Sequence, residues 1–290
     1  IEILSAYNNQ TASVNELVLY TLSNVLVEEG NWIDAEVNLK AFIFTFPDSS
    51  YYSSAAWMYA YTLYRSEYYN ESKSVIDTVL ADGTGGSYTT DFILLSARIY
   101  MKLGNISYAL AMFKEYLPFD NNNSEIWFDI IKLQFNQGNY NTVLDSYKKI
   151  ENTSVMEKET PFVLLLQYIA GLADIAVGNY EDGLNKLSVL KGDVLTINEL
   201  KSIDPYVRYY RGWAYYKLAD YMEAFKWFKS VTSDFPLSGV YQEALYFAGW
   251  SVYLLGEYSQ AAEYFAEFSK IAESTDKVKG LFFFGKSMYA

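Results

Sequence analysis

A three-residue signature, small then polar then aromatic, recurs along this chain at Gly30-Asn31-Trp32, Gly138-Asn139-Tyr140, Gly178-Asn179-Tyr180, Ala219-Asp220-Tyr221 and Gly256-Glu257-Tyr258. Weaker copies stand at Glu67-Tyr68-Tyr69 and Gly104-Asn105-Ile106. A repeat constrains the fold more than composition does. Each copy is one supersecondary unit that cannot bury its apolar face alone, so neighbouring copies must stack. With the first residue of each triplet as anchor, the positions 30, 67, 104, 138, 178, 219 and 256 give steps of 37, 37, 34, 40, 41 and 37. A period of about 34 with insertions is that of a helix-turn-helix unit.

Other positions keep the same register. Five after the anchor come Ala35, Ser72, Ala109, Val143, Gly183, Ala224 and Ala261, mostly small, as close helix approach requires. Nine after come Leu39, Ile76, Phe113, Tyr147, Leu187, Phe228 and Phe265, always large. Seven before lie Ser23, Ala60, Ala97, Ile131, Gly171, Gly212 and Gly249, and Gly285 matches that position in an eighth unit. Pro47 and Pro236, each seventeen after its anchor, end a second helix. The expected units are 16–49, 53–86, 90–121, 124–155, 164–198, 205–238 and 242–275, with a partial one at 278–290, in one array over 1–290. Longer connections are expected at 82–88, where Gly83-Thr84-Gly85-Gly86-Ser87 is costly in a helix, and at 151–161 and 191–204.

This pattern resembles the tetratricopeptide repeat (TPR) family over nearly the whole chain, best in Tyr206 to Pro236 and Leu245 to Phe268. Trp127 also fits the family's aromatic early in the first helix. The resemblance implies an all-α fold, a right-handed superhelical solenoid of antiparallel helix pairs that holds other proteins. Phe46-Pro47-Asp48-Ser49 and Phe235-Pro236-Leu237-Ser238, leading into Ala55-Ala56-Trp57 and Glu243-Ala244-Leu245-Tyr246, are similar to a bacterial cell-envelope subgroup. That subgroup includes outer-membrane assembly lipoproteins of the BamD type and the TolA-binding periplasmic coordinator. It implies a periplasmic or outer-membrane-associated setting.

Composition removes most other functions. With 22 Lys and Arg against 35 Asp and Glu, the net charge of −13 repels phosphate backbones and anionic headgroups, so nucleic acid is excluded as a partner. Cys and His are absent, which removes thiolate and imidazole nucleophiles, bases and metal ligands, and any disulfide framework. No catalytic residue, metal site or cofactor is expected. No apolar run reaches the roughly 20 residues of a spanning helix. The chain starts at Ile1 and stops inside a patterned segment, so a leader, a lipid-attachment site or further domains are expected to have been removed. Leu281–Ala290 would then be an apolar helix without its mate, and self-association through the ends is expected.

Residues three and four apart share a helix face, which splits each first helix into stripes. One, at eleven, eight, seven and four before the anchor, is core. The adjacent stripe, at ten, six and three before the anchor, is the one that the family resemblance places on the concave surface. It reads Trp57, Tyr61, Tyr64; Phe128, Lys132, Phe135; Tyr209, Trp213, Tyr216; and Tyr246, Trp250, Tyr253, with Phe282 and Tyr289 in the partial unit. The remaining units give Tyr20, Asn24, Val27; Leu94, Arg98, Met101; and Tyr168, Leu172, Ile175. Arg65, Lys102 and Lys217 lie two before their anchors on the same side. Aromatics at helical spacing are ordinarily core, but here another stripe already supplies the core. The candidate partner-binding groove is therefore Trp57, Tyr61, Tyr64, Arg65, Arg98, Lys102, Phe128, Lys132, Phe135, Tyr168, Tyr209, Trp213, Tyr216, Lys217, Tyr246, Trp250 and Tyr253. Tyr and Trp offer contact area at low entropy cost and the cations can hold a carboxylate or carbonyl, which suits an extended or helical segment of another protein.

Chaperone-binding relatives grip a terminal carboxylate with a Lys-Asn pair at the first two concave positions. No unit has that pair, and Tyr20 and Asn24 come nearest. Asp120-Asn121-Asn122-Asn123-Ser124-Glu125 has the oxygens of a calcium loop but lacks its sixth-place Gly and twelfth-place Glu, and reads as an inter-repeat turn. The Gly83–Gly86 run lacks the Lys-Ser/Thr of a phosphate cradle. The sequons at Asn9, Asn70, Asn105, Asn122 and Asn152 carry meaning only on a glycosylating secretory path. Paired carboxylates of a glycosidase are not evident, because Asp91, Glu125 and Glu243 fall in different units. The alternative to a protein-binding scaffold is a periplasmic small-ligand or glycan-binding solenoid assisting a transporter.

Overall fold

A computed structural model describes residues 2–157 and 160–289. Ile1, Lys158, Glu159 and Ala290 lie outside it, as do part of the connection at 151–161 and the Asn9 side chain. The described residues form helices and turns with no strand. They fall into two compact units, 1–121 and 122–290. The first holds α1 (Glu2–Glu28), α2 (Trp32–Thr45), α3 (Tyr52–Arg65), α4 (Tyr69–Ala81), a 3-10 turn (Gly86–Tyr88), α5 (Thr89–Lys102) and α6 (Ile106–Tyr116). The second holds α7 (Ser124–Asn136), α8 (Tyr140–Ile150), α9 (Pro161–Val177) and α10 (Tyr180–Leu187), then a 3-10 turn (Gly192–Thr196) and α11 (Asn198–Lys201). It continues with α12 (Asp204–Lys217), α13 (Tyr221–Asp234), α14 (Tyr241–Leu254), α15 (Tyr258–Ile271) and α16 (Ser274–Met288). No helix among the described residues is long and apolar enough to cross a membrane.

Every anchor sits just after a first helix with its φ in the left-handed region, from 62° at Ala219 to 93° at Gly178. The amide after the anchor donates back to the carbonyl four before it, as Asn179 does to Asp174 at 2.8 Å and Asp220 to Tyr215 at 3.0 Å. These bonds satisfy carbonyls that a helix end leaves orphaned and turn the chain directly into the second helix. That explains the glycines; Glu67 and Ala219 hold the same conformation without glycine's freedom.

The large residue nine after each anchor is buried, and where glycine stands seven before, in the last three complete pairs, it seats over that glycine. A Cβ on Gly212 would lie 2.9 Å from the Phe228 ring, and one on Gly249 would lie 3.0 Å from the Phe265 ring. A third stripe, not distinguished by spacing alone, is also buried. It runs twelve and five before the anchor: Ala55 and Thr62, Phe92 and Ile99, Ile126 and Leu133, Leu166 and Ala173, Val207 and Ala214, Ala244 and Ser251. On α3, α5 and α14 its partners belong to the preceding pair. Ala55 joins Leu39 and Phe42 of α2, Phe92 and Ile99 join Ile76 and Val79 of α4, and Ala244 joins Phe228 and Val231 of α13.

On α3, α5 and α14 one stripe thus packs within the pair and another against the preceding pair. The outermost helices show the separation. On α1, Ser23 is buried while Val18, Leu22 and Val25 are exposed, so Leu22 departs from its expected place in the core. On α16, Gly280 packs on Phe268 and Ser269 of α15, whereas nothing lies within 4 Å of a Cβ on Gly285.

The insertion at 191–204 carries its own small core, with Leu190, Leu195 and Leu200 buried beside Leu187 and Val207. Arg211 is also buried there; its guanidinium donates to the Leu187 carbonyl and lies 4.7 Å from the Trp227 ring centroid. The acidic loop before α7 is a helix cap, Asn123 accepting from the amides of Glu125 and Ile126.

Candidate functional site

In the first unit α3 presents a stack of rings. Trp57 lies parallel to Tyr61, 5.2 Å away at 7°, and is covered on another side by Tyr88 at 5.9 Å. Tyr61 continues to Tyr64 at 6.5 Å. Arg65 donates to the Tyr61 hydroxyl at 2.9 Å and lies 4.7 Å from the Trp32 centroid. The rings hold each other and leave a half-buried face, in which the indole N–H of Trp57 is a buried donor without an acceptor. On α5, Arg98 is half-buried and Lys102 exposed. Trp32 and Tyr88 escaped the stripe because they lie on a second helix and in a 3-10 turn.

In the second unit the aromatics named from spacing divide. Tyr209 packs against Tyr210 and the fully buried Phe228, at 5.3 and 5.7 Å. Tyr246 and Trp250 are gathered with Phe265 and Phe283, Trp250 meeting Phe283 at 4.5 Å. Tyr253 carries Lys286 at 5.4 Å. On α7, Phe128 leans on Phe162 at 5.6 Å, with the Lys132 ammonium 5.3 Å from its centroid. Burial raises the phenol pKa of Tyr168 on α9 well above the ordinary tyrosine value.

Where α7, α9 and α12 present this stripe together, a cavity of about 320 Å³ opens. Its apolar lining is Phe135, Leu172, Ile175, Ala176 and Trp213; Tyr140, Tyr180 and Tyr210 also line it, with the exposed Lys217. Trp213 stacks on Tyr216 at 6.0 Å and takes Phe247 edge-on at 4.8 Å, which fixes the indole plane. The Lys217 ammonium lies 5.2 Å from that indole. Burial, then the neighbouring Tyr140, raises the Tyr210 phenol, which stays protonated and able to donate. The arrangement can hold an apolar side chain against Leu172 and Ile175 while Lys217 and phenolic O–H groups meet acceptors. Tyr140 and Tyr180 are the aromatics of the repeat triplet, so the signal for them was the triplet itself. Among the described residues, no group of three or more acidic, His or Cys residues is placed to hold a metal ion.

Residues 206–238 match the family model of the tetratricopeptide repeat. No curated protein matches the chain. Among solved structures it is similar to a TPR protein from Parabacteroides merdae, with 17% identity, 94% of this chain and 98% of that one covered, and a TM-score of 0.55. It is also similar to the C-terminal part of a TPR repeat-containing protein from Cytophaga hutchinsonii, with 17% identity, 90% and 99% covered, and a TM-score of 0.66. A third similar structure is YrrB, described as a TPR protein with an unusual peptide-binding site, with 18% identity, 62% and 84% covered, and a TM-score of 0.50. The fold is that of the tetratricopeptide repeat solenoids.

Proposed function

We propose that this chain is a non-catalytic scaffold that captures a segment of another protein on the aromatic face of its first helices. The observation that carries the reading is the cavity lined by Leu172, Ile175, Trp213 and the exposed Lys217. Its volume of about 320 Å³ is at the lower end of the roughly 300–1,000 Å³ usual for small-molecule sites. That suits one anchoring side chain of a longer segment better than a whole ligand or a glycan. Rigid aromatics around an apolar socket are the usual makings of a binding hot spot. Lys217 and Lys132 face rings rather than carboxylates, so in a chain of charge −13 they are the groups that favour an acidic or carbonyl-rich guest. The peptide-binding site of YrrB lends the reading an analogy of fold only.

A bacterial cell-envelope setting belongs to the same proposal. Its support is the pair of Phe-Pro junctions, where Phe46 and Phe235 end their helices with the same backbone, φ −127° and ψ 59° against φ −133° and ψ 57°. Fractionation of the native host tests the setting, and recovery of the protein in the cytosol contradicts it. The binding reading is tested by panning a random peptide library displayed on phage against the full chain. Enrichment of peptides sharing an apolar anchor beside an acidic residue supports it; no enrichment over the bare support overturns it.

A further inference from the structure

We propose that the groove between α2 and α4, floored by α3, is a second binding site, whose guest is a segment of another protein carrying an apolar side chain with a lysine or arginine near it in sequence. The three helices stand in two consecutive pairs of the first unit. A cavity of about 370 Å³ opens between them, lined by Ile43 and Phe44 of α2, Tyr52 and Tyr59 of α3, and Val75 and Thr78 of α4. Phe44 is not a requirement of the repeat: fourteen after the anchor the other pairs carry Ala81, Pro118, Asn152, Gly192, Ser233 and Lys270. Its ring walls the cavity while 77% exposed, which is apolar area that the pair itself does not use.

Tyr59 points to an occupant. The residue is 8% exposed and lines the cavity, yet its hydroxyl has no hydrogen-bond partner among the described residues. A phenol so enclosed ordinarily finds one. Burial, then Glu36 and Glu71, raise its pKa, so at neutral pH it keeps its proton and can both donate to a carbonyl and accept from an N–H. The cavity's volume of about 370 Å³ is near the lower end of the roughly 300–1,000 Å³ usual for small-molecule sites. It suits one anchoring side chain, with the Tyr59 hydroxyl left for a polar group beside that anchor.

Charge selects the guest. Glu36 on α2 and Glu71 on α4 both act on the Tyr59 phenol, and neither is in an ion pair among the described residues. Glu36 precedes Ile43 by seven residues and Glu71 precedes Val75 by four, so each shares a helix face with a residue of the cavity. The offset along the helix is roughly 6–10 Å, which is about two or three residues of an extended chain and sets the spacing between anchor and cation. Lys40 on α2 is in no ion pair among the described residues, whereas Lys73 on α4 is bound to Asp77 and lies 5.6 Å from the Tyr100 ring. Two free carboxylates against one free lysine, in a chain of charge −13, favour a cationic guest and reject an acidic one. The preference is opposite to that proposed for the cavity between α7, α9 and α12.

The test pans a random peptide library displayed on phage against the full chain and discards peptides that also bind Thr78→Arg, a variant that fills the cavity from an exposed position and adds a cation. Affinities of the survivors are read by fluorescence anisotropy on the wild type, on Thr78→Arg and on the double variant Glu36→Gln with Glu71→Gln, each verified as folded by circular dichroism. The survivors should pair an aromatic or branched aliphatic residue with a nearby lysine or arginine. They should lose about tenfold or more on Thr78→Arg and about fivefold or more on the double variant, where their binding should also become less sensitive to salt. No survivor overturns the proposal. So do survivors that are acidic, or that bind the double variant as tightly as the wild type. A wild-type chain that self-associates in light scattering while Thr78→Arg stays monomeric assigns the groove to a second copy and overturns it as well. The groove shares no residue with the cavity between α7, α9 and α12, and Leu172→Glu should leave this binding unchanged, so the two readings fail separately.

Discussion

Tyr216 and Tyr221 meet edge to face, ring centroids 5.6 Å apart and planes at 61°. The same contact recurs in other pairs: Tyr64 with Tyr69 at 5.7 Å and 58°, Phe135 with Tyr140 at 5.3 Å and 61°, and Tyr253 with Tyr258 at 5.1 Å and 62°. In these four pairs the aromatic that opens the second helix closes over the last ring of the first, and the turn is pinned there. Tyr221→Ala should lower stability by about 2 kcal/mol, part lost burial and part the ring pair, while Tyr221→Phe should change it by less than about 0.5 kcal/mol. Urea unfolding followed by circular dichroism measures both, and an equal loss in the two variants would show that the hydroxyl, not the ring, matters.

Ala219 holds φ 62° where most anchors are glycine. Because a left-handed residue with a Cβ costs about 1–2 kcal/mol and glycine's extra chain entropy offsets part of this, Ala219→Gly should stabilise by about 0.5–1 kcal/mol. Gly178→Ala, at φ 93°, should destabilise by about 1 kcal/mol or more. Thermal melts should show opposite signs for these two reverse exchanges at equivalent turns, glycine being the more stable residue at both.

How much was legible in the sequence follows from these sites. Positions such as Gly212 and Phe228, where a small residue receives a large one, show their size in nearly every copy, Ile131 being the exception at the small position. The stripe twelve and five before the anchor holds Ala, Thr, Phe, Ile, Leu, Val or Ser, as at the equivalent Thr62, Ile99 and Ser251, because volume there is traded with residues of other helices. No single position keeps a recognisable type. Spacing placed Trp213 and Tyr246 on one stripe but could not show that Trp213 borders Leu172 and Ile175 while Tyr246 meets Phe265 and Phe268. The difference lies in rings from other helices, Phe283 among them.

Asp174 is buried, with its carboxylate 2.7 Å from the Lys186 ammonium and the Asn179 amide 3.4 Å away. Removing only the cation leaves a buried carboxylate without its counter-charge, so Lys186→Met should cost about 3–5 kcal/mol. The double variant Asp174→Leu with Lys186→Met should recover most of that loss, since a buried ion pair and an apolar pair of similar volume are close in stability. A double variant as unstable as the single one would assign the effect to lost packing of the lysine stem.

Tyr147 is buried, and burial, with Glu151 and Asp174 adding to it, pushes its phenol up to about 12. Burial raises Tyr168 and Tyr209 as well. A folded-state value above the unfolded one near 10 means that the folded chain binds the proton more tightly. The associated stability is complete below pH 10 and is lost as the pH rises through 12. Urea midpoints should therefore fall between pH 10 and 12. Tyrosinate absorbance should show a late class that ionises together with unfolding, and Tyr147→Phe should make the midpoint less sensitive to pH across that window.

The most direct test of the binding face is the affinity of a library-selected peptide for the wild-type chain and for Leu172→Glu, read by fluorescence anisotropy of the labelled peptide. Leu172 is buried in the wall of the cavity, and a carboxylate there would enter the socket and repel an acidic guest. The account predicts at least a tenfold loss of affinity for Leu172→Glu, measured where circular dichroism shows the variant folded, with Val37→Glu, away from the cavity, binding as wild type. Equal affinity for Leu172→Glu and wild type would contradict it.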